Sequence, residues 1–171
     1  MNYTFAARNS FAVFCPPDSR LRDACCPVTI MEIKINTSNI IADVGSRFLQ
    51  ELKSPDPIPP KGTLMQSLSE SRGRLAVIVS RWLDADYKES ANDNLSEATE
   101  IVYDLRLTVR RAGAKAQAIA DLMHSYLVNA TLAKCYYIMA QGELAKLHDN
   151  QSIADAQAIN QLINSKIPPI Y

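Results

Sequence analysis

The stretch AKAQAIADLMHSYLVNATLAKCYYIMAQGELAK, residues 114–146, consists almost wholly of good helix formers and includes eight alanines. It lies within a longer run, Lys61 to Ile167, that holds none of the nine prolines and only Gly62, Gly73, Gly113 and Gly142. A proline inside a helix costs about 3 kcal/mol and a glycine about 1, so such a gap predicts a helical body. The expected fold class is all-α: a helical bundle with a long central helix and an α-hairpin, preceded by a disordered N-terminal arm.

Working outward, the long helix is expected to run from about Ala114 to about His148. Ser152 with Asp155 would open a last helix, Ile153 to Ser165, closed by Lys166 and the Pro168-Pro169 pair. Upstream, Asn94 and Glu97 form a capping box for a third helix with the stripe Ala98, Ile101, Val102, Leu105, Val109 and Ala112. Thr63 and Gln66 make another box for a second helix, striped by Leu64, Leu68, Leu75, Ile78, Val79 and Trp82 and ending near Tyr87 or Lys88. The turn-forming SANDN, residues 90–94, joins these two helices into an antiparallel hairpin. A first helix over Ser38 to Leu52, capped by Thr37 or Ser38, carries Ile40, Ile41, Val44, Phe48 and Leu52 at helical spacing. Pro55, Pro57, Pro59 and Pro60 then make a stiff elbow. No internal repeat is evident.

Residues 1–30 differ from the rest. They mix Phe5, Phe11 and Phe14 with Pro16, Pro17 and Pro27 without a helical or strand period. They read as a flexible arm, and residues 31–171 as a single α-helical bundle domain. The segment has no apolar core behind a basic end, so a secretory signal is not expected. Apolar content of 47% fills a core in 171 residues, and eighteen basic residues balance eighteen acidic ones. That balance removes any global field towards nucleic acid or anionic membrane. A membrane span needs about 20 consecutive apolar residues. The most apolar stretch, Ile119 to Ala140, is interrupted by Asp121, His124, Asn129 and Lys134, so none is expected.

Catalytic and metal chemistry find little support. Cys15, Cys25, Cys26 and Cys135 show no zinc or redox spacing and read as free thiols of a cytoplasmic protein. Asp121 and His124 share a helix face, but no second such motif completes a di-metal site. Cys135 lies eleven residues beyond His124, about 16 Å along a helix, too far for both to hold one ion. No serine sits in a nucleophile elbow, and no glycine-rich loop cradles phosphate. No catalytic residue, metal or cofactor is therefore assigned.

Charge and apolar surface say more. Residues 84–104 carry seven acids against Lys88 alone, and the basic residues follow just beyond. In the expected hairpin Arg72 lies level with Arg110 and Arg74 with Thr108. That gives a candidate anion or nucleic-acid site of Arg72, Arg74, Arg106, Arg110, Arg111 and Lys115. Arg72 falls between Leu68 and Leu75 on the apolar stripe, where its head needs a carboxylate, such as Asp104 or Glu70, or a route to water. The central helix is apolar almost all round, so it is either internal or shared with a partner. Leu132, Tyr136, Tyr137 and Met139 make the candidate interface. The leading function is a small non-enzymatic protein–protein interaction module, an adaptor, assembly factor or helical subunit, acting as a homo-oligomer. A nucleic-acid-associated regulator is the alternative, and an enzyme of unknown type the second alternative.

Overall fold

The computed structural model describes residues 5–8, 28–52, 59–84, 95–96 and 99–164, with backbone only over 5–8, 28–29 and 108–114. The protein is mostly helical, but it is not all-α. A short antiparallel sheet of β1 (Phe5–Arg8), β2 (Val28–Asn36) and β3 (Glu100–Thr108) lies against four helices. These are α1 (Thr37–Glu51), α2 (Lys61–Ile78), α3 (Val109–Ile138) and α4 (Gly142–Asn164).

The third helix expected over residues 94–112 is replaced by β3 and the start of α3. In β3 the buried side chains are Ile101, Tyr103, Leu105 and Leu107, alternating with the outer Val102, Asp104 and Arg106. Period two, not 3.6, governs this stretch. Its partner β2 buries Met31, Ile33 and Ile35 and turns Glu32 and Lys34 outward. The pair is antiparallel over nine residues, with Ile33 opposite Tyr103 and Ile35 opposite Ile101. On the other side of β2, Phe5–Arg8 pair with Ile30–Ile33. The arm expected over residues 1–30 thus contributes β1 and the first residues of β2 to the sheet. SANDN falls outside the described residues, as does most of the proline elbow.

The hairpin expected between the second and third helices does not form. Helix α2 ends at Ile78, and after a single 3-10 turn at Ser80–Trp82 the chain runs beside β3. There Leu83 bridges Leu105, and the Asp84 amide donates to the Asp104 carbonyl at 2.8 Å. The start of α2 also differs from the expected Thr63 box. Pro60, whose fixed φ suits a helix start, accepts the Thr63 and Leu64 amides on its carbonyl. For α1 the cap is Asn36, one residue earlier than expected, whose side chain accepts from the Ser38 amide.

The helical hairpin of this protein is α3 with α4. The long helix stops at Ile138 instead of about His148, and one helix from Gly142 replaces the break expected before Ser152. Ala140 takes φ 57°, and the Gln141 amide bonds back to the Tyr136 carbonyl at 2.9 Å. That six-to-one bond around a left-handed residue ends a helix tightly. Gln141 then accepts the Ala145 amide and starts α4. Helix α3 is the central element, touching α1, α2, α4, β2 and β3. Among the described residues no helix is long and apolar enough to cross a membrane.

Candidate functional site

A concave space of about 470 Å³ opens where α2, α3 and α4 meet. Its floor is alanine: Ala130 and Ala133 from α3 and Ala145 from α4. Small side chains at these helix-facing positions leave the hollow open. The rim is charged, with Arg74, Lys134, Lys146 and Asp149, and Tyr137 stands beside it with 79% of its surface exposed. Of the three cations named, Lys134 is held in a close pair and Lys146 is in a loose, solvent-exposed one. Lys134 pairs with Glu70, and Lys146 reaches Glu143 at 3.9 Å. Arg74 makes no ion pair among the described residues. Asp149 and Arg74 both act on the buried Tyr126 phenol: burial raises its pKa, Arg74 lowers it and Asp149 raises it again.

A second polar assembly lies inside the fold, between α1 and the α3–α4 hairpin. On α1 the residues Asp43, Arg47 and Glu51 follow one another at four-residue spacing, so they share one face. Each meets a polar group across the seam. His124 Nε2 lies 2.8 Å from Asp43 Oδ2, and Arg47 donates to Asn129 Oδ1 at 2.8 Å. Glu51 Oε2 accepts the Tyr136 hydroxyl at 2.8 Å and lies 2.8 Å from His148 Nε2.

Donor and acceptor roles in the seam follow from chemistry. A guanidinium can only donate, which fixes Asn129 Oδ1 as acceptor and its Nδ2 as donor. That nitrogen donates to Asp155 Oδ2 at 2.9 Å, where Ser125 also donates at 2.9 Å. His148 Nδ1 lies 3.2 Å from the same Asn129 Oδ1. Its ring stacks on Tyr136 with centroids 5.5 Å apart, and Phe48 meets Tyr136 edge-on at 4.7 Å. Burial lifts the Tyr136 phenol pKa well above the usual range, and the hydrogen bond and charge of Glu51 lift it further. Both histidines of the chain are committed to this seam.

The residues singled out in the sequence are scattered by this fold. Arg72 is buried, its carbonyl accepting the Tyr103 hydroxyl at 3.1 Å, while Glu70 is turned to Lys134. Arg106 is exposed on the outer face of the sheet and pairs with Asp84 at 3.5 Å. Lys115 donates to the Leu162 carbonyl at 2.9 Å, and the side chains of Arg110 and Arg111 lie outside the described residues. Of the described side chains in this group, Arg74 alone lines the hollow. Of the candidate interface, Leu132 and Tyr136 are fully buried within the chain, Met139 is half-buried against the core, and Tyr137 is exposed. His124 turns to Asp43 of α1, while Asp121 accepts from Gln117. The alanine floor was missed; its only sequence signal is Ala130, Ala133 and Ala145 among larger apolar neighbours.

No protein-family model matches the chain, and neither a curated protein nor a solved structure matches it significantly.

Proposed function

We propose that the chain is a small non-enzymatic interaction protein of the cytoplasm that acts as a homo-oligomer, with the corner where α2, α3 and α4 meet as its working surface. The observation that carries this reading is Tyr137, 79% exposed and followed by Ile138 at 56%, beside a concave alanine floor. Leu147 of α4 and Val77 of α2 are also exposed large apolar side chains. An exposed tyrosine next to aliphatic side chains and a hollow suits a protein contact, since aromatic anchors entering small pockets dominate such interfaces. The partner is a second copy of the chain. The histidine–carboxylate groups are spent on one another inside the seam, which suits a structural role better than turnover.

Sedimentation equilibrium over a range of concentrations tests the reading. The expected result is reversible association above the 19.0 kDa chain mass, weakened by Tyr137→Glu. A monomer at every concentration overturns it. Burying several hundred Å² of apolar surface at about 25 cal/mol per Å² yields on the order of 10 kcal/mol before association costs of similar size. Affinities weaker than nanomolar are therefore expected.

A further inference from the structure

We infer that the hollow between α2, α3 and α4 is a binding site for a small organic monoanion with an apolar body. The site lies within one chain and deepens the proposed function: it rests on the same corner, so a ligand in the hollow and a second copy covering Tyr137 compete for it.

Three observations define the ligand. The volume, about 470 Å³, falls within the range of small-molecule sites. The floor of Ala130, Ala133 and Ala145 offers methyl groups and no side-chain hydrogen-bonding group, so the body lying on it is apolar. The rim supplies cations for an anionic head. Among the described residues Arg74 makes no ion pair, whereas Lys134 is held by Glu70 and the solvent-exposed Lys146 only grazes Glu143, so Arg74 is the best placed to receive the head. Its planar fork suits a carboxylate or sulfonate, bound by two parallel hydrogen bonds. Asp149 on the same rim repels a second negative charge, which excludes polyanions, and it can accept from an N–H or O–H on the ligand.

Anilinonaphthalene sulfonate matches this description, with one sulfonate, one N–H and an apolar aromatic body. Its neutral analogue phenylnaphthylamine lacks only the sulfonate. Fluorescence titration of the full chain with each probe, alongside near-UV circular dichroism to show native packing, tests the site. The expected result is saturable one-to-one binding of the sulfonate, with the neutral analogue much weaker. Arg74→Ala should weaken the sulfonate about tenfold or more and leave the neutral analogue unchanged. Asp149→Asn should tighten the sulfonate by up to about fivefold, because a like charge is removed. Both substitutions lie at exposed positions, so both variants should fold. Equal binding of the two probes, or sulfonate binding indifferent to Arg74→Ala, overturns the inference, as does the absence of saturable binding to the native chain. Running the titration at concentrations where sedimentation finds monomer separates this outcome from that of self-association.

Discussion

Tyr136 and Cys135 are adjacent on α3, and both are held in their neutral forms. Burial raises the Tyr136 phenol, and Glu51, hydrogen-bonded to it and negatively charged, adds to the shift. Burial also raises the Cys135 thiol, with Ser67 and Lys134 acting in the opposite sense. When the folded-state pKa lies above the unfolded one, the unfolded chain gives up its proton first as pH rises. The contribution is therefore whole below the unfolded values, 9.0 for the thiol and 10.0 for the phenol, and is lost above them. Each such group should steepen the alkaline fall in stability by about 1.4 kcal/mol per pH unit. Urea midpoints measured from neutral to alkaline pH should show Cys135→Ala flattening the curve from about pH 9 and Tyr136→Phe from about pH 10. Tyr126, also raised by burial, keeps a residual slope in both variants. If Tyr136→Phe leaves the slope above pH 10 unchanged, the phenol does not hold its proton against Glu51.

Strand β3 shows how far the elements could be read from sequence. In EIVYDLRLT, residues 100–108, the apolar positions 101, 102 and 105 fit a helical stripe, and 101, 103, 105 and 107 fit a strand. The capping-box pattern at Asn94 and Glu97 favoured the helix, whereas the rival cue was the enrichment in β-branched and aromatic residues. In β2 the alternation of Met31, Ile33 and Ile35 was equally visible but short. Helix α1 was legible, because Ile40, Val44 and Phe48 repeat cleanly after a run of capping residues, although the cap is Asn36 and not Thr37 or Ser38. The polar seam was not, because its partners lie 81, 82 and 97 residues apart and no local spacing links them. Two substitutions distinguish the strand period from the helical one. Tyr103→Ala should cost about 3–5 kcal/mol, because a fully buried ring and its bond to the Arg72 carbonyl are lost. Val102→Thr, on the outer face, should cost less than about 1 kcal/mol. Chemical denaturation of both variants decides, and a larger cost at Val102 than at Tyr103 would restore the helical stripe.

At the scale of the whole molecule, the sheet and the α3–α4 hairpin share one core, and α1 joins it through an apolar stripe and the polar seam. Among the described residues of 1–30, β1 and the start of β2 join this body. We expect the arm up to residue 27 to be dispensable for folding, although the first residues of β2 are not equivalent to it. A chain beginning at Val28 loses the four pairings of β1 with Ile30–Ile33 but keeps the full β2–β3 ladder. A chain beginning at Met31 also loses Val28, Thr29 and Ile30, the partners of Thr108, Leu107 and Arg106. That loss strips the β3 end that leads directly into α3. For a chain of this size 1 kcal/mol corresponds to about 2–4 °C in melting temperature. The Val28 chain should melt within about 8 °C of the full chain, a cost of roughly 2 kcal/mol for one short edge strand. The Met31 chain should melt measurably lower, because unpairing the end of β3 frays the junction on which the central helix begins. Thermal melts followed by far-UV circular dichroism make the comparison. Loss of a cooperative transition in the Val28 chain would make the arm part of the core. Identical melts for the two truncations would mean that the sheet's hold on α3 comes from the buried face alone, through Leu105 and Leu107, and not from the first three pairs of the ladder.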